Sequence, residues 1–308
     1  MKSQVTDTVI MVRPDSFGFD PETAATNAFQ HKPTESQTAV RLHAIVEFEA
    51  AVKTLSDHHI NVIVIPSPKG VIVPDAVFPN NWVSFMSGGV MVVYPMLAPA
   101  RRRERQATAF KKALEGTIRF SEEKIIDFTK HETEGKFLEG TGSLVLDRVH
   151  EVAFAIVSAR THETLVREWA NVCGYTPVIF HAYGKKDHLP IYHTNVLMNI
   201  GDGFCVICLD AIADSSERKR VSGMLKKLQL EIIAISLNQL HAYCGNVLEV
   251  RSADGKSYIV LSQTAFDAFS GKQKSVLEKY GTLLPISIPT IEQVGGGSAR
   301  CMLAEVFV

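Results

Sequence analysis

Short apolar runs, bounded by glycine, proline or paired polar residues, recur along the chain, and stretches of helical periodicity separate them. The first run, residues 8–13, is stopped by Pro14 and reads as a strand. Residues 15–35 are polar and turn-rich, with Phe17, Phe19, Asn27 and Phe29 spaced through them. A loop of this length in a compact fold is usually functional, and its aromatics predict a packed loop beside a site, a candidate lid. Residues 39–58 place Val40, Ile45, Val46, Phe48, Ala51, Val52 and Leu55 on a helical stripe, and residues 61–66 follow as a buried strand.

From residue 74 onward the pattern repeats. A turn enters a strand, a hairpin returns it, a helical stretch follows, and a short apolar strand ends the unit. The hairpins are 82–94, 140–157, 192–209 and 245–261. The helical stretches are 101–114, 161–173, 214–228 and 263–280, and the closing strands are 118–120, 176–180, 231–235 and 283–286. A fifth entry opens at Gly297, and its returning strand has to be residues 8–13 at the other end of the chain. The last four entries, at Gly140, Tyr192, Gly245 and Gly297, start about 52 residues apart. One such unit cannot bury its apolar face alone, so the stack must close. The expectation is an α/β fold of five pseudo-equivalent hairpin–helix–strand units, one domain spanning residues 1–308. A doubly wound sheet is the alternative, and the hairpins count against it.

Composition changes this picture little. Of the 308 residues, 46% are hydrophobic and 21% charged, and the formal net charge is −1. That balance offers no basic surface for nucleic acid or a membrane. No apolar run reaches the ~18 residues of a membrane helix, and no leader-like segment opens the sequence. The five cysteines (Cys173, Cys205, Cys208, Cys244 and Cys301) are odd in number and scattered. Cys205 and Cys208 have a metal-like spacing but lie in an apolar run without the second pair a zinc ribbon needs. A reducing cytoplasm is expected, with no metal and no cofactor.

In a closed ring, equivalent entry turns face one axis. The polar residues at those turns are Asp75, Asn80 and Asn81, then Glu139, then His193 and Asn195, then Cys244-Gly245-Asn246, then Cys301. Each alone has an ordinary structural reading: a turn cap, a turn residue, a solvated acid, a strand histidine, a buried small thiol. As a set they are chemically coherent. A thiolate is a nucleophile, a histidine shuttles a proton near neutral pH, and a carboxylate beside it fixes the tautomer. Asp and Asn side chains accept hydrogen bonds from a planar guanidinium or ureido group. The run Gly295-Gly296-Gly297 before Cys301 is costly in backbone entropy, so close backbone approach is expected there.

The ordered motifs P-D-A-V-F-P-N-N-W (74–82), F-L-E-G-T-G-S-L (137–144), S-A-R-T-H (158–162), Y-H-T-N-V (192–196), C-G-N-V-L (244–248) and G-G-G-S-A-R-C-M (295–302) resemble the guanidino-group-modifying enzymes of the pentein superfamily. These include arginine deiminase, dimethylarginine dimethylaminohydrolase and the amidinotransferases, and the chain looks most similar to the amidinotransferase-like branch with its citrulline-utilisation hydrolases. The resemblance covers nearly the whole chain and implies a five-bladed α/β propeller without cofactor. It implies Cys301 as nucleophile, His193 as general acid and base, and Glu139 as the carboxylate between His193 and substrate. Asp75, Asn80 and Asn81 fall where the family surrounds the substrate. Arg101 and Arg160 match arginines that grip a substrate α-carboxylate, which replaces a solvated-surface reading of the run 101–105.

The departures bear on substrate. Asn195 stands where arginine deiminase has aspartate, and Asn80-Asn81 stand where dimethylarginine enzymes have adjacent acids. Fewer carboxylates compensate a buried guanidinium less well, so a neutral ureido compound such as citrulline is expected as readily as arginine. The expected partner is a small guanidino or ureido amino acid. The expected reaction is hydrolysis of a non-peptide C–N bond through a covalent Cys301 adduct. Amidino transfer to an amine, or a non-catalytic binding propeller, are the alternatives.

Overall fold

In the computed structural model, which describes residues 3–116, 124–184 and 189–307, β1 (Thr8–Val12) is buried at every position and runs parallel to β2 (Asn61–Ile65). The helix Gln37–Asp57 makes that crossover. The Ser36 hydroxyl caps it by accepting from the amide of Ala39. It buries Val40, Ala44, Phe48, Ala51 and Leu55, an i, i+4 and i+3 stripe. Val46, expected on that stripe, is exposed. Each large apolar side chain so buried contributes about 1.5–3 kcal/mol.

The same unit then recurs. β3 (Val83–Met86), β4 (Val90–Val93) and β5 (Ile125–Asp127) form one sheet, and β6 (Leu144–Asp147), β7 (Val152–Ile156) and β8 (Thr176–Phe180) the next. β9 (Met198–Ile200), β10 (Phe204–Ile207) and β11 (Glu231–Ala234) form another, and β12 (Leu248–Arg251), β13 (Ser257–Ser262) and β14 (Thr282–Ile286) a fourth. In each, the first pair is antiparallel and the second parallel. The last strand, β15 (Ala304–Val306), pairs antiparallel with β1, so both ends of the chain complete the fifth sheet. β15 lies against β3, and β6 against β9. This is the expected α/β propeller of five three-stranded blades.

Local differences from the sequence expectation have physical causes. The expected strand 118–120 lies outside the described residues, and Ile125–Asp127 is the strand that pairs with β4. The helical stretch 263–280 is two helices, Gln263–Ala268 and Gly271–Leu277, because Ser270 and Gln273 form a capping box that restarts the helix. The stretch 101–114 also divides, into Pro99–Arg102 and Ala107–Ala113. Residues 15–35 are packed, with Phe17 buried and a short helix, Pro21–Ala24, capped by Asp20. Among the described residues no helix is long and apolar enough to cross a membrane.

Four of the five inner strands share one entry geometry: a helical turn just before the strand, at Pro79–Asn81, Gly140–Ser143, Thr194–Leu197 and Ala299–Met302. These turns crowd the axis. A Cβ on Gly245 would sit 2.4 Å from the carbonyl oxygen of Val196, and one on Gly140, which has φ +47°, 2.2 Å from that of Asn80. Backbone cannot yield as a side-chain tip can. Gly245→Ala is therefore expected to destabilise by about 1–3 kcal/mol through overpacking. Gly223→Ala, in the helix Ser215–Lys227 with open space around it, is expected to stabilise by about 0.5–1 kcal/mol. Denaturant unfolding of the two variants against the parent measures both, and equal effects would dismiss axial crowding.

Candidate active site

The helix Pro289–Gly295 ends in a left-handed cap at Gly296, with φ +64°. Gly295 and Gly297 pack against the Phe78 ring, which a Cβ on either would approach to within 2.9 Å. The three glycines thus meet two needs, a positive φ and close contact with an aromatic face. Ser298 leaves this turn extended, and its hydroxyl donates to Glu292 at 2.6 Å. The turn Ala299–Met302 then sets Cys301, which is 3% exposed, at the mouth of β15.

Two amides hold the sulfur. Nδ2 of Asn246 lies 3.2 Å from Sγ and Nδ2 of Asn195 lies 3.5 Å away. Asn246 also donates to the Asn195 carbonyl at 2.9 Å, which locks the pair. Both asparagines come from entry turns of neighbouring blades. They present N–H groups to the sulfur, which also lies 3.9 and 3.6 Å from the Oδ1 atoms of Asn195 and Asn246.

His193 precedes the turn Thr194–Leu197, and its Nε2 lies 2.9 Å from Oε2 of Glu139. Gly142 must lack a side chain here, since a Cβ would sit 2.7 Å from His193 Nδ1. Glu139 is fully buried. Its Oε1 accepts from the Leu97 amide at 3.0 Å, and Oε2 also faces Nη1 of Arg160 at 3.4 Å and of Arg101 at 3.9 Å. Burial alone would raise this carboxyl, but Arg160, the His193 hydrogen bond and Arg101 together hold it at about 2. Burial, with help from the two arginines, lowers His193 to about 4 against the pull of Glu139. At neutral pH the pair is a carboxylate and a neutral imidazole.

A cavity brings Cys301 and His193 together with Asp75, Asn81, Arg101 and Arg160, walled by Phe78, Tyr192 and the three glycines. Asp75 Oδ2 accepts from the Thr23 hydroxyl at 2.8 Å, while Oδ1 has no partner. Burial raises Asp75 to about 6, with Arg101 opposing. Arg101 is held by Glu104 through Nε and Nη2, both at 3.0 Å, and donates from Nη1 to Asn81 Oδ1 at 2.7 Å. Arg160 bonds Thr23 and Thr26 of the 15–35 loop and stacks over Tyr192. Asn80 stands apart from the cavity lining: it bonds Thr141 and accepts from Asn81.

Sequence reasoning placed Asn246 at a blade entry without giving it a role. It overlooked Glu104, Tyr192 and Thr23. Asn246 had a signal, since it stands just before its inner strand as Asn195 and Cys301 do before theirs. Glu104 had a weaker one, its i+3 spacing from Arg101. The 15–35 loop reaches the glycine turn, where Asn27 Nδ2 and the Tyr192 hydroxyl both donate to the Gly296 carbonyl.

Known proteins extend these observations. No curated protein matches the chain significantly by sequence. Among solved structures, the N-terminal domain of ArgZ, an arginine dihydrolase from the ornithine-ammonia cycle in cyanobacteria, captured with substrate as a cysteine-to-serine mutant, superimposes with TM-score 0.73 at 16% identity. That match covers 97% of this chain and 98% of that one. AgrE in complex with ornithine and NAD+ gives 0.72 at 18% identity, covering 97% of this chain and 39% of AgrE. A dimethylarginine dimethylaminohydrolase adduct with S-methyl-L-thiocitrulline gives 0.62 at 14% identity, covering 99% and 100%. These likenesses establish the fold. The family described as "N,N dimethylarginine dimethylhydrolase, eukaryotic" matches residues 13–308, and the chain belongs to that family of the pentein superfamily.

Proposed function

We propose that the protein is a cysteine-dependent hydrolase of a C–N bond in an arginine-type guanidino compound, with residues 1–308 as one catalytic unit. The observation that carries this reading is the meeting of Cys301, held by two amide donors, and the His193–Glu139 pair around one cavity. His193 is neutral at rest, so its first act is that of a base. It takes the thiol proton as Sγ bonds the central carbon of the planar end group. The imidazolium so formed is stabilised by Glu139 and protonates the departing amine as the C–N bond breaks. Water then enters, His193 takes its proton, hydroxide attacks the adduct, and the S–C bond breaks with return of the proton to sulfur. No group beyond side chains and water is required. Asp75 faces the end group, and the spare Nη1 hydrogens of Arg101 and Arg160 serve a substrate carboxylate.

A second reading, a ureido substrate such as citrulline, is favoured by the neutral Asn81 and Asn195 at positions where acids are expected. Transfer of the amidino group to an amine differs only in the second nucleophile, and glycine or ornithine as acceptor distinguishes it. A non-catalytic propeller would leave Cys301 unlabelled by a haloacetamidine.

Three outcomes follow from these roles. Turnover of arginine, its methylated forms, agmatine and citrulline, followed by product chromatography, is expected to show hydrolysis of at least one of them, and silence across the set refutes the assignment. Cys301→Ser is expected to lower kcat by roughly 10³-fold or more while the substrate still binds, and an active serine variant would rule out the covalent route. For a cationic substrate, kcat/KM is expected to fall about tenfold per pH unit below about pH 6. There Asp75, raised by burial, takes up a proton and loses the charge that faces the guanidinium. Asp75→Asn should remove that acid limb from the pH profile, and a limb that persists assigns it to another group.

A further inference from the structure

A second polar cavity lies further along the axis, where the C-terminal ends of β6 and β9 meet β12 and β15. Its charged lining is Arg148, Arg300 and Glu305. Arg300 is 5% exposed and donates from Nη2 to Glu305 at 2.9 Å and from Nη1 to the Leu303 carbonyl at 3.4 Å. Arg148 is 7% exposed, lies 3.5 Å from the same Glu305 carboxylate, and stacks at 3.9 Å over the Phe307 ring. Gln4 spends both amide hydrogens on the Leu146 and Ile200 carbonyls. Asn199, 3% exposed, directs an Nδ2 with no partner into this space.

Donors dominate this lining. Two guanidinium groups, always protonated, and the Asn199 amide face the cavity with one carboxylate, Glu305, while Glu151 lines a neighbouring cavity that Arg148 also borders. A buried donor without an acceptor is costly. An acceptor of single negative charge satisfies Asn199 Nδ2 and suits the two guanidinium groups beside it. The cavity has room for about one water-sized occupant, which excludes phosphate and an amino-acid carboxylate.

We infer that the cavity bounded by Arg148, Arg300 and Asn199 binds a single small monovalent anion of the halide class, chloride in solution. The anion joins three blades, because Arg148 follows β6, Asn199 lies in β9, and Arg300 precedes β15. It also bears on the catalytic residue, since Arg300 shares the turn Ala299–Met302 with Cys301. Anion binding to Arg300 thus fixes the turn that presents the sulfur, from the face opposite the substrate.

Crystals of the full chain grown with bromide in place of chloride test this directly. An anomalous peak between the Arg148 and Arg300 guanidinium groups, within hydrogen-bonding reach of Asn199 Nδ2, is the expected result. A peak height equal to an ordered water, with no anomalous signal, overturns it. In solution, chloride is expected to raise the melting temperature in a saturable way that gluconate at equal ionic strength does not reproduce. Asn199→Leu should weaken that dependence severalfold, and Arg148→Gln should abolish it. A chloride response identical in the parent and a folded Asn199→Leu would also overturn the site. If either variant fails to fold, the bromide experiment on the parent decides alone.

Discussion

A carboxylate that is fully buried is the constraint around which the site is assembled. Taking the Glu139 charge out of water costs several kcal/mol even after relaxation, and among the described residues Arg160, His193, Arg101 and the Leu97 amide offset that cost. Those partners arrive from different places: the entry to β9 carries His193, the connection after β7 carries Arg160, and the segment after β4 carries Leu97 and Arg101. Arg160 belongs to the same blade as Glu139, but His193, Leu97 and Arg101 reach it only when the two flanking blades pack against that one. The electrostatics of one side chain therefore couples the packing of three consecutive blades to the state of the histidine. With its charge held, Glu139 fixes His193 by the hydrogen bond, while burial and the two arginines keep that imidazole neutral.

Ring closure was legible in the sequence because the blades repeat. The apolar runs alternate with turns at a near-constant spacing, and the unpaired fifth entry at Gly297 required residues 8–13 as its partner. β15 and β1 meet that requirement. What periodicity could not reveal was where a helix restarts. Between residues 263 and 280 the apolar stripe is continuous enough to suggest one helix. The break is decided by a reciprocal bond between Ser270 and Gln273, a local competition that a stripe does not register.

The site was legible in part, for the same reason. Polar residues at blade entries converge, so Asp75, Asn81, Glu139, His193, Asn195 and Cys301 all lie at the crowded end of the axis. Partners that depend on side-chain reach were not visible. Glu104 is one turn from Arg101 on paper and could as well have faced solvent. Only the fold shows that it is buried and occupies one edge of the guanidinium through two hydrogen bonds. Asn80 illustrates the converse: adjacent to Asn81 and identical to it in type, it turns to Thr141 and away from the cavity.

These pairings redistribute the charge that a substrate meets. Arg101 enters the cavity bonded by Glu104, a carboxyl that burial raises to about 7 against the pull of Arg101, and Arg160 already faces Glu139, so both guanidinium groups are at least partly countered. The sulfur is held by neutral amides. Among the described residues, Asp75 is the acid lining the cavity, and one of its oxygens has no hydrogen-bond partner; its burial makes its ionisation conditional. A site so nearly balanced does not reject a neutral end group by leaving a strong buried charge unpaired, as an aspartate at Asn81 or Asn195 would. On the proposed reading, selection would fall to Asp75: a guanidinium would stabilise the carboxylate that stabilises it, whereas a ureido group would accept the proton of the neutral acid. On that reading, the preference between guanidino and ureido substrates would be set by a single buried carboxyl group and its proton.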